Sequence, residues 1–126
     1  PTVDCNTAMN AIDKILKENP PNNASVTVDW DEPANGWNAP KLSSWLESAI
    51  DEASQSFYHK PAMAMGEGGT IPFMAMLGEQ FPAAQFVVTG VLGPNSNAHG
   101  PNEFIHIPFA KKLSASVAFI LDRFPS

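Results

Sequence analysis

Two stretches carry residue types whose spacing could do chemistry. Gly66-Glu67-Gly68-Gly69-Thr70-Ile71-Pro72 is a glycine-rich turn between a short apolar run and a helical pattern. Ser96-Asn97-Ala98-His99-Gly100-Pro101-Asn102-Glu103 sets a histidine and a carboxylate among glycine and proline. Unpaired backbone N–H groups at a helix start, reinforced by the helix dipole, favour an anion, so the first stretch suits an anion site. A histidine held in a rigid loop suits metal ligation. Each stretch also has a plain structural reading. Glycines serve turns that need positive φ, and a lone loop histidine is often a surface or hydrogen-bonding residue. No lysine follows the glycines as a phosphate loop requires, and Glu67 would oppose a polyphosphate. A single carboxylate or a developing oxyanion is the better-sized anion.

The remaining reactive side chains say less. His59, beside Lys60 at an exposed helix end, and His106 are weaker ligand candidates than His99. Glu103 could ligate, orient a neighbour or be solvated, while Asn102 could hold the loop through its own backbone. Cys5 has no nearby base and reads as inert. A catalytic zinc needs about three protein ligands, and the chain has no His-x-Asp or His-Glu-x-x-His to join His99. A G-x-S-x-G nucleophile elbow is missing as well. The residues alone therefore do not make an enzyme.

The elements that must position these loops follow from periodicity. Ala8, Ile12, Ile15 and Leu16 recur at three and four, predicting an amphipathic helix over 4–18 with Asp4 as N-cap and Pro20-Pro21 as a stop. Ala24, Val26, Val28 and Trp30 alternate with polar residues, the period of a strand with one covered face. Residues 31–40, DEPANGWNAP, form a turn-rich connection. A domain boundary is placed there, dividing the chain into 1–37 and 38–126.

Beyond it, Leu42, Trp45, Leu46, Ala49, Ile50, Ala53 and Phe57 form the clearest helical stripe, with a cap expected near Asn38 and Pro40 in the first turn. The apolar run Pro61–Met65 precedes the glycine turn, and Ile71–Phe81 predicts a helix. Phe86-Val87-Val88 within residues 85–91 predicts a strand covered on both faces. Residues 103–107 are extended in character, and the stripe from Phe109 to Phe124 predicts a final helix. Helix, strand, helix, strand, helix implies an α/β layer with parallel strands, preceded by a helix-strand piece of an α+β layer. In such sheets ligands gather at loops leaving the carboxyl ends of strands, where both marked loops would lie.

Composition sets further bounds. The 126 residues suit about one ordinary domain, and an apolar fraction of 44% with 16% charged residues describes a folded chain. A net charge of -6 with Lys111-Lys112 as the one adjacent basic pair argues against nucleic acid. No run approaches the ~20 apolar residues of a membrane span, so no membrane partner is expected. The single cysteine gives no disulfide framework and fits a reducing, cytoplasmic compartment.

Together, GEGGTIP at 66–72 and SNAHGPNE at 96–103 resemble the C-terminal signature of the dinuclear-zinc aminoacylase and carnosinase-like metallopeptidases, the family of cytosolic dipeptidases, acetylornithine deacetylase and succinyl-diaminopimelate desuccinylase. The likeness takes in the GWNAP turn, the helix after it and the spacing of roughly thirty residues between the signatures. It implies that 1–37 are the end of a lid and dimerisation domain, and that 38–126 are the C-terminal part of a zinc-exopeptidase-like catalytic domain. His99 would be a metal ligand, Gly68, Gly69 and Thr70 would bind the substrate's carboxylate, and Asn102 and Glu103 would support the site from behind. Many relatives carry arginine where Gly66 stands, so that side chain's charge is missing here.

The resemblance implies two divalent metal ions, zinc with manganese or cobalt as alternatives, and a small peptide or N-acyl amino acid as substrate. The other metal ligands and the general-base glutamate lie upstream in relatives, so this chain is expected to be the C-terminal part of a longer enzyme, inactive without its missing N-terminal part. The parent is expected to form a homodimer through the lid. Two other functions remain open: a biosynthetic N-acyl amino acid deacetylase of the same family, and a non-catalytic α/β binding or oligomerisation module.

Overall fold

The computed structural model describes residues 1–66 and 72–125. Four helices appear: α1, Cys5–Glu18; α2, Ser44–Tyr58; α3, Pro72–Gln80; and α4, Ile107–Asp122. A 3-10 turn, Pro21–Asn23, follows α1. The chain divides into two compact units. One comprises Pro1–Ala39 with the described part of 66–84, and the other comprises 40–65 with the described part of 85–126.

Among the described residues there is no strand, which overturns the expected α/β architecture with parallel strands and its helix-strand lid piece. The reason is that alternation and β-branched composition describe packing, whereas a strand exists only when its N–H and C=O groups pair with a second one. Residues 25–29 keep the alternation, with Val26 and Val28 half-buried between exposed Ser25, Thr27 and Asp29, but Ala24 and Trp30 are exposed and no ladder forms. The stretch expected to be covered on both faces fares worse: Val87 and Val88 are 43% and 63% exposed. In the run before the glycine turn, Met63 and Met65 are also exposed.

The first unit is built on α1. Asp4 caps it as the sequence suggests, its carboxylate accepting from the Thr7 N–H at 2.8 Å and the Thr7 hydroxyl at 2.9 Å. Those bonds favour the ionised carboxylate and hold Asp4 below the ordinary value of 3.8. The Cys5 N–H donates to Asn35 Oδ1 at 2.8 Å, tying the helix start to the turn-rich connection. Gly36 lies against Pro1, where a Cβ would stand 2.6 Å from the Pro1 Cα. No residue of α1 is fully buried.

The second unit has a real packing core, made by α2 against α4. Leu46, Ala49 and Ala53 are buried on α2, one turn apart, and Ser116 is buried on α4. Aromatic pairs flank them: Trp45 with Phe124 at 5.3 Å, Phe57 with Phe119 at 6.2 Å and Tyr58 with Phe109 at 5.5 Å between centroids. The beginning of each helix meets the end of the other, so the pair is antiparallel. Arg123 lies over Phe119 and 3.4 Å from Glu52, and Lys112 lies over Tyr58.

The start of α2 also differs from expectation. Its N-cap is Ser43 rather than a residue near Asn38, and the Ser43 N–H donates to Gln85 Oε1 at 2.6 Å. Pro40 thus precedes the helix instead of entering its first turn. His59 ends α2 in a left-handed conformation, with its N–H on the Gln55 carbonyl.

Candidate functional site

The stretch with candidate chemistry in the second unit is the connection from Gly93 to His106. It begins with Gly93-Pro94-Asn95-Ser96, where the Ser96 N–H donates to the Gly93 carbonyl at 3.1 Å and Asn95 has φ of 65°. Proline at the second position and a left-handed residue at the third are the marks of a type II turn. Ser96 is 5% exposed, and its hydroxyl donates to the same Gly93 carbonyl at 2.7 Å. Its own carbonyl accepts from the Phe104 N–H at 3.1 Å, closing the loop at its base.

A second turn, Asn97-Ala98-His99-Gly100, is closed by the Gly100 N–H on the Asn97 carbonyl at 2.9 Å. His99 occupies its third position with φ of 61°, a region that non-glycine residues visit rarely, though histidine and asparagine more than most. Glycine is needed next: a Cβ on Gly100 would lie 2.7 Å from the Asn97 side chain. That side chain also donates to the Pro101 carbonyl, drawing the turn together. The Glu103 carboxylate accepts from the His99 backbone N–H at 3.2 Å. Glu103 therefore supports the backbone that carries the imidazole. Asn102 adds another left-handed residue, φ 61°, and is exposed.

This arrangement leaves the His99 imidazole exposed and, among the described residues, without an internal partner. A neutral imidazole nitrogen on a fixed backbone is a suitable donor for zinc or a similar divalent ion, so the side chain fits the group the resemblance implies. No three His, Cys, Asp or Glu side chains gather around one point among the described residues. Gly68, Gly69 and Thr70 lie outside the described residues.

His106 has a different task. Its Nδ1 accepts from the Phe109 N–H at 3.1 Å and caps α4, with Pro108 inside the first turn. The sequence signal for that role was Pro108, two residues on. Ser96 was passed over as well, although Gly93-Pro94-Asn95 announces the turn that buries it.

The first unit holds an open groove between α1 and residues 29–34, floored by Val3, Ala8, Met9, Ile12 and Trp30. Its charged lining is Asp29, Asp31 and Glu32, with no basic side chain, so it would repel a substrate carboxylate. No family model, no curated protein and no solved structure matches the chain.

Proposed function

We propose that the chain is the C-terminal part of a metal-dependent amidohydrolase that cleaves dipeptides or N-acyl amino acids. The observation that carries this reading is the loop at 93–104, whose backbone is tied by internal hydrogen bonds while its single imidazole is left free to bind something else. Fixing the backbone in advance lowers the entropy lost on ligation. The likeness of the two marked stretches to the metallopeptidase signature supplies the reaction class.

Two divalent ions, zinc with manganese or cobalt as alternatives, supply Lewis acidity and an activated water when bound. His99 would hold one of them, and Glu103 would fix the backbone from which it projects. Gly68, Gly69 and Thr70 would take the substrate's carboxylate, and Asn102 would shape the loop. The other ligands and the proton-accepting glutamate would come from the N-terminal part of the same polypeptide. The chain alone is then expected to hydrolyse little or nothing, because one protein ligand cannot hold zinc in a catalytic geometry.

Surface area supports the need for further polypeptide. The chain exposes 10092 Å². Separate compact bodies the size of its two units would expose about 7,900 Å² in all. The excess, about 2,200 Å², is well beyond the ~800 Å² that each partner of a standard interface buries. Much of the exposed surface is apolar, including Phe73 and Met76 on α3 and Ile107, Leu121 and Phe124 on or beside α4. We place the parent in the cytoplasm as a homodimer.

The same exposed surface also favours a second reading, a non-catalytic binding or oligomerisation module. Assay of a longer polypeptide containing this chain on a panel of dipeptides and N-acyl amino acids, with and without chelator, separates the two. Chelator-sensitive hydrolysis supports the amidohydrolase, and the preferred substrate distinguishes a peptidase from a biosynthetic deacetylase. No metal and no turnover on any member of the panel leaves the module as the better reading.

A further inference from the structure

The Ser96 side chain is buried in an otherwise exposed loop and does no chemistry in the reading above. We propose that Ser96 is a positioning residue, whose hydroxyl locks the base of the 93–104 loop and so holds His99 in its left-handed, outward-facing conformation. The inference rests on the reading of His99 as the loop's working side chain. Both donors of Ser96, the N–H and the hydroxyl, go to the Gly93 carbonyl, while its own carbonyl receives the Phe104 N–H. One residue thus joins the entry turn to the segment that leaves the loop.

Four residues between Gly93 and Phe104 carry unfavourable backbone conformations. Asn95, Asn97, His99 and Asn102 all have positive φ, between 56° and 65°. Such residues persist only where the surroundings over-determine them. Inside the loop the restraints are the Gly100 N–H on the Asn97 carbonyl and the Asn97 and Glu103 side-chain bonds; Asn97 and Glu103 are exposed, where water competes for their bonds. Ser96 itself is 5% exposed, so water competes less for its hydroxyl than for the exposed Asn97 and Glu103 side chains. Removing the hydroxyl leaves the Gly93 carbonyl with one donor instead of two and lowers the cost of opening the turn.

The test uses the 126-residue chain and its Ser96→Ala and Ser96→Thr variants, with Ser114→Ala as control. Ser114 makes the same kind of hydroxyl-to-carbonyl bond on the exposed side of α4. Amide exchange at Phe104 and Gly100 and the intraresidue HN–Hα NOE of His99, which is strong only at positive φ, are read by NMR. Ser96→Ala is expected to speed Phe104 exchange about threefold to tenfold, the loss of one net hydrogen bond. It should also weaken the His99 intraresidue NOE as the left-handed state loses population, with exchange in α2 unchanged. Ser96→Thr, which keeps the hydroxyl, should restore both readouts, and Ser114→Ala should alter neither.

Unchanged Phe104 exchange and an unchanged His99 intraresidue NOE in Ser96→Ala would overturn the proposal. So would unfolding of α2 and α4 in that variant, which would make Ser96 part of the fold rather than of the loop. The wider functional reading fails separately. If His99→Ala in a longer polypeptide leaves metal content intact while Ser96→Ala still loosens the loop, Ser96 positions His99 but the histidine is no ligand.

Discussion

Replacing His99 by glycine and by valine tests whether its left-handed backbone is imposed by the loop. Histidine at φ 61° carries the left-handed penalty of an L-residue, roughly 1–2 kcal/mol. Glycine removes that penalty but loses about 0.5–1 kcal/mol more chain entropy on ordering. The net gain for His99→Gly is about 0.5–1 kcal/mol, since the exposed imidazole contributes no internal contact to lose. Valine keeps the penalty and adds strain from its β-branch, about 1 kcal/mol further. The two variants should therefore differ by about 1.5–2 kcal/mol in local opening, or more than tenfold in exchange at the Gly100 amide that closes the turn. Hydrogen exchange by NMR under conditions where exchange reports equilibrium opening reads the difference directly. Equal Gly100 protection in the glycine and valine variants would show that the loop does not impose the conformation.

Other expectations concern the scaffold. Leu46, 1% exposed, is the largest fully buried side chain, and Leu46→Ala should cost about 2–5 kcal/mol in urea denaturation, enough to threaten the α2–α4 pair. His106→Ala should cost about 1 kcal/mol by removing the α4 cap, and His106→Asn should recover most of it in the same assay. Asp4 gives a pH dependence. Its folded carboxyl is held below the ordinary 3.8, so the cap's contribution is present above that value and is lost as pH falls through the lowered folded value. Far-UV circular dichroism should show an acid loss of helix that Asp4→Asn lacks; identical acid profiles would count against the cap.

How far the sequence spoke depended on whether a signal was local. The helical stripes of α1, α2 and α4 were legible because the period is contained within the segment, and Asp4 was legible as a cap because its partner is three residues away. The strands were misread because pairing is a property of two segments. Val26 and Val28 show a covered face, and Val87 and Val88 show β-branched composition, but neither names a partner. At the candidate site, His99 stood out by chemical type alone. Its left-handed φ, the carboxylate of Glu103 on its N–H and the buried hydroxyl of Ser96 depend on how the loop closes, which residue type does not encode.

The most direct measurement is the metal content of a longer polypeptide containing this chain, purified as wild type and as His99→Ala and analysed by elemental mass spectrometry beside turnover. If His99 is a ligand, the variant loses one of two bound ions per chain and hydrolysis is abolished with it. A variant that keeps both ions and its activity would contradict that ligation.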